Sequence, residues 1–79
     1  MNRRKTNAKE LSNFRPPDVF AVSKFVFQMG YTTKETKSLS GMSLPNVRDI
    51  RDAILAAVAK GETKGLSKAT VKAAQKMLA

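Results

Sequence analysis

Residues 30–54 read GYTTKETKSLSGMSLPNVRDIRDAI, and two helix starts are written into them. Thr32 is followed three residues on by Glu35, the spacing at which each side chain satisfies an orphan backbone N–H of a helix's first turn. The helix so begun is short. It passes Leu39 and stops at Gly41, a residue able to take the left-handed conformation that ends a helix and redirects the chain. After a tight turn through Met42, Ser43 is placed to cap a second helix, whose Pro45 lies where first-turn N–H groups have no intrahelical partner. Val47, Ile50 and Ile54 then share one helical stripe, and Leu44, Pro45, Arg48, Asp49 and Asp52 lie opposite it.

This run resembles the helix-turn-helix of bacterial regulators, whose pattern is a Glu, an aliphatic, a small residue, Leu, Gly, an aliphatic, Ser and Val/Ile. Glu35, Leu39, Gly41, Met42, Ser43, Val47 and Ile50 fall on that pattern. Locally it is most similar to the mercury-resistance-type regulators, which share the Tyr31-Thr32 opening and an Arg directly after the buried Val/Ile, here Arg48 after Val47. The similarity covers about the middle third of the chain. Thr36 stands where an aliphatic is usual, and Lys37 where a small residue lets the two helices approach. What the resemblance implies is a DNA-binding domain whose residues 44–52 enter the major groove.

Length and composition set the bounds. A chain of 79 residues is one domain with a modest core, for which an oligomer interface is a reasonable expectation. It has no cysteine, so neither a disulfide nor a thiolate metal site supplements that core. It has no histidine either, which removes the usual general base and the commonest metal ligand together. Asp49 and Asp52, one turn apart among arginines, read as helix ion-pair partners rather than a general acid and base. No Gly-rich phosphate loop or metal-ligand spacing appears, so the expectation is a non-enzyme without cofactor or metal, and with no small-molecule substrate evident. No apolar run approaches the ~20 residues of a membrane span. The basic N-terminus lacks the apolar region of a secretory signal, and a cytoplasmic protein is expected.

The formal net charge is +9 and the isoelectric point near 10.4, a balance suited to a polyanion. Its distribution is uneven. Residues 1–15 carry +4 and residues 53–79 another +4, whereas residues 16–31 are neutral and residues 32–52 carry only +1. Charge flanks the segment expected to read bases, as it does when flanks hold phosphates.

Along the rest of the chain, residues 1–13 read as a flexible basic arm. Arg3, Arg4 and Lys5 in it are candidates for phosphate or minor-groove contact, and a solvated tail is the alternative. Phe14, Arg15, Pro16 and Pro17 form a hinge into a first helix, with a start at Pro17 or Asp18 and Phe14 stapling back. Residues 19–29 then place Val19, Val22, Val26 and Met29 on one stripe and Phe20, Phe27 and Tyr31 on its neighbour. The second motif helix continues through alanines to a stop at Gly61. Ile54 and Ala57 extend its stripe, while Leu55 and Val58 point elsewhere, which predicts a second apolar face that meets the C-terminal helix, a second subunit, or both. Residues 61–65 read as a flexible connector. Ser67 caps a last helix with Val71, Ala74 and Leu78 on its apolar stripe, Met77 beside it, and Lys68, Lys72 and Lys76 recurring every four residues.

The sequence thus predicts an all-α domain of about four helices over residues 14–79, containing a helix-turn-helix. The expected function is sequence-specific binding of double-stranded DNA, as a repressor-like regulator or DNA-organising protein of phage or plasmid type, acting as a homodimer on an inverted repeat. Leu44, Pro45, Asn46, Arg48, Asp49 and Arg51 are the candidates for base contact, Arg48 foremost because its fork matches guanine's two acceptors. Thr32, Thr33, Lys34, Ser43 and Lys68 join the arm as candidates for phosphate contact, with plain capping the alternative for Thr32 and Ser43. Two other readings fit the same composition: an RNA-binding accessory protein, and a helical module docking a partner protein through residues 53–58. A ribbon-helix-helix fits less well, because residues 19–29 are too long and too hydrophobic on all sides for a reading strand.

Overall fold

The computed structural model describes residues 11–79, which are helical and contain no strand. A short 3-10 turn, Leu11–Asn13, precedes α1, Pro16–Val22, which runs directly into a π-helical segment, Ser23–Gln28. The helices α2, Thr33–Ser40, α3, Leu44–Lys60, and α4, Lys68–Leu78, follow. Among the described residues no helix is long and apolar enough to cross a membrane.

The helix ends are set by local chemistry. Arg15 is held extended before Pro16, which occupies the first helical position, one residue ahead of the expected start. Phe14 and Val19, at the staple positions flanking that start, both pack against the core. Thr32 and Glu35 form the full reciprocal cap: Thr32 Oγ1 accepts from the Glu35 N–H at 3.1 Å, and Glu35 Oε1 accepts from the Thr32 N–H at 2.9 Å. Ser43 caps α3 and Ser67 caps α4 by accepting from the N–H three residues on. Gly41 and Gly61 end α2 and α3 at φ 76° and 80°, the left-handed region that only glycine enters without a Cβ penalty.

The core is built around α3, which packs against every other element. Val47, Ile50, Ile54 and Val58 from α3 meet Val22, Val26 and Phe27 from α1 and the π segment, and Ala74 from α4. Val58 therefore belongs to the same buried face as Ile54, and Ala53 is buried as well. The second apolar face expected over residues 53–58 meets the C-terminal helix: α4 folds back onto α3, and Leu55 and Ala57 are half-buried. Of that stretch only Ala56 is exposed, a side chain too small to anchor a partner.

Four further expectations need correction. The single periodicity expected over residues 19–29 is broken by the π segment, in which the Met29 N–H donates five residues back to the Lys24 carbonyl at 2.9 Å. The extra residue per turn shifts the register. Val26 and Phe27 remain inward, Met29 is left exposed, and Phe25 stacks with Tyr31 at a ring separation of 6.1 Å; Phe20, ahead of the shift on α1, is exposed as well. On α4, Thr70 and Ala74 are the buried positions, whereas Met77 and Leu78 are about half exposed, since the last turn has little packed over it. The connector at residues 61–65 is closed by hydrogen bonds, Glu62 N–H to the Ala57 carbonyl at 2.8 Å and Leu66 N–H to the Thr63 carbonyl at 3.0 Å. Leu66 then packs on the core. Leu11, counted with the basic arm on sequence grounds, packs there too. Residues 1–10, and with them Arg3, Arg4 and Lys5, lie outside the described residues.

Candidate functional site

The helix α2 contacts the body through a hydroxyl-bearing face. Thr36 is fully buried and Thr33 and Ser40 half-buried, while Leu39 is exposed. Thr36 takes the place of an aliphatic because its methyl packs while its Oγ1 donates to the Thr32 carbonyl at 2.9 Å, so no polar group is left unsatisfied. Lys37 is exposed and does not stand between the helices. Three residues, Gly41, Met42 and Ser43, join α2 to α3, and Met42 packs against the core.

Burial of Val47 and Ile50 fixes the rotation of α3. Pro45, Asn46 and Arg48 are exposed at its first turns. Arg48 makes no ion pair among the described residues, so its guanidinium is available to a ligand. The other candidates are less accessible. Leu44 and Asp49 are half-buried, and Asp49 is engaged in an interaction of its own. Arg51 lies along the helix, with its Nε and Nη2 donating to Asp52 Oδ1 at 3.1 and 3.0 Å. Its charge is already opposed by a carboxylate.

The helix N-termini divide similarly. The Thr32 N–H is taken by the Glu35 carboxylate, which also places a negative charge where a phosphate would sit. Thr32 is a capping residue in this arrangement, with no backbone donor to offer. The N–H groups of Thr33 and Lys34 have no protein acceptor among the described residues. At α3 the Ser43 side chain accepts from Asn46 at 3.4 Å and Pro45 has no N–H, so the Leu44 N–H is the remaining donor of the first turn.

Electrostatically the two halves of the surface differ. Over residues 44–52, two arginines meet two aspartates and cancel. Lys68, Lys72 and Lys76 are all exposed on the face of α4 opposite Thr70 and Ala74, with no acidic residue anywhere on that helix. At 1.5 Å rise per residue the row is roughly 12 Å long. Lys72 and Lys76 are as exposed as Lys68, and their four-residue spacing was the readable signal. The contact that seats α4 was not readable: Gln28 Nε2 donates to Ser67 Oγ and to Thr70 Oγ1, each at 3.1 Å, across 39 and 42 residues of chain. Compared with protein-family models, curated proteins and solved structures, the chain matches none.

Proposed function

We propose that the chain is a non-catalytic DNA-binding protein in which α2, the three-residue turn and α3 act as a helix-turn-helix, with the first turns of α3 entering the major groove. One observation carries the reading. Two short-range caps and a left-handed glycine set the ends of α2 and the start of α3, while burial of Val47 and Ile50 presents Arg48 outward, without an ion-pair partner among the described residues. An arginine so placed matches the O6 and N7 acceptors of guanine. Pro45 and Asn46 flank it. Lys34 and the open N–H groups of α2 are placed to meet phosphates, and the α4 lysines supply attraction without sequence preference. Regulation of transcription by a homodimer on an inverted repeat is the role this arrangement suits.

Selection from random duplex DNA at about 0.15 M salt tests the reading, because non-specific phosphate binding is weakened there. Enrichment of an inverted repeat, with half-sites about one helical turn apart or a multiple of it, is the expected result. Enrichment of no sequence would exclude specific reading. The uncompensated lysine row on α4 favours a second reading in that event, a protein that holds folded RNA by its phosphates; equal affinity for folded RNA and random duplex would support it.

A further inference from the structure

A groove of about 830 Å³ runs between residues 11–20 and the loop leading into α4, within the size range of small-molecule sites. Its walls are apolar, from Phe14, Val19, Phe20 and Leu66. Phe20 stands at 68% exposure on this wall, a large aromatic left open among the described residues. Ser23 lies one turn further along the same helix and is only 7% exposed, yet it lines the groove and its hydroxyl has no hydrogen-bond partner among the described residues. Buried hydroxyls are rarely left so, which points to a group supplied from outside the chain.

The charge around the groove is one-sided. Among the described residues, Lys64 is the charged residue that lines it, and no acid does. Asp18, the nearest acid in the α1 wall, is held by Arg15 at 3.3 Å. The N-terminus of α4 also opens here: Ser67 lines the groove and caps the Thr70 N–H at 3.2 Å, leaving the N–H groups of Lys68 and Ala69 without a protein acceptor among the described residues. A helix N-terminus, a lysine and a buried hydroxyl thus line one groove, and each can donate to a negatively charged group.

We propose that this groove binds a small organic carboxylate with an extended apolar body. The carboxylate accepts from Lys64, Ser23 and the first N–H groups of α4, and the body covers Phe14, Val19 and Phe20. This assignment stands independently of the nucleic-acid reading.

The test is amide-detected NMR titration of the full chain with three eight-carbon probes that differ in charge: octanoate, octan-1-ol and octylammonium. Octanoate is expected to bind saturably, with shifts concentrated at residues 11–23 and 64–70, and octylammonium at least about tenfold more weakly. Lys64→Gln, an exposed change that leaves the fold intact, should weaken octanoate about fivefold and leave octanol unchanged. Ser23→Ala should likewise weaken octanoate more than octanol. No saturable shift with millimolar octanoate would overturn the proposal. So would octylammonium binding as tightly as octanoate, shifts spread over the whole chain, or a Lys64→Gln variant that binds octanoate like the parent.

Discussion

Replacing Lys68, Lys72 and Lys76 together by glutamine tests whether α4 lies along a phosphate backbone. All three side chains are exposed and α4 carries no acidic residue, so each lysine in contact with a phosphate releases its full share of counterion. With duplex DNA that share is about 0.9 in the slope of log K against log salt, and three contacts give about 2.7. Between 50 and 200 mM salt, the parent should therefore lose about 40-fold more affinity than the triple variant. Glutamine has nearly lysine's helix propensity, and changes at exposed positions stay within about 0.5 kcal/mol, so stability is not confounded. Fluorescence anisotropy with a labelled duplex at four or five salt concentrations supplies the slope. Arg51→Gln is the control. It removes one charge too, but from a side chain already held by Asp52 at 3.0 Å, and its slope should change by less than about one. A triple variant with the parental slope would show that α4 faces solvent in the complex, and the placement of the lysine row would be wrong.

Arg48→Ala should cost ~1 to 3 kcal/mol on the preferred site and relax preference at one base pair; unaltered preference in a repeat of the duplex selection would remove Arg48 from the reading surface. Ile54→Ala opens a cavity at a fully buried position on the helix that touches every other element, with an expected loss of ~2 to 5 kcal/mol. For a chain of this size that is a large part of the total, so denaturant melts should show a collapsed midpoint, and a loss below about 1 kcal/mol would contradict the assigned burial. Thr32→Ala breaks the reciprocal cap with Glu35 and should cost ~0.5 to 2 kcal/mol. Because α2 buries no apolar side chain, hydrogen exchange should accelerate in α2 before the rest; uniform acceleration would mean that α2 is not a separate unit of stability.

The bounds of α2, α3 and α4 were legible because each is decided within four residues of chain. Thr32 with Glu35, Ser43, Ser67, Gly41 and Gly61 act on backbone groups of their own turn, and such hydrogen bonds depend on no distant neighbour. The core stripe of Val47, Ile50 and Ile54 was legible for a related reason: the helical period alone puts them on one side. So was the exposure of Arg48, which follows from that stripe.

Tertiary structure decided the rest. Phe20 and Leu39 are as hydrophobic as their buried neighbours, and which of them is covered depends on where other helices run. The π turn at residues 23–28 rotates everything after it, so a reading at constant period put Met29 on the stripe of Val22 and Val26, whereas it is exposed. Thr36 and Thr70 look like surface residues. They are buried because a backbone carbonyl and the Gln28 amide satisfy them. The chain's amino acids determined where its helices start, where they stop and where its charge lies. Only the packing of α4 onto α3 decided that residues 53–58 have no free apolar face, and only the meeting of α1 with the α4 loop made the groove at Ser23, because burial and pocket shape arise between segments rather than within them.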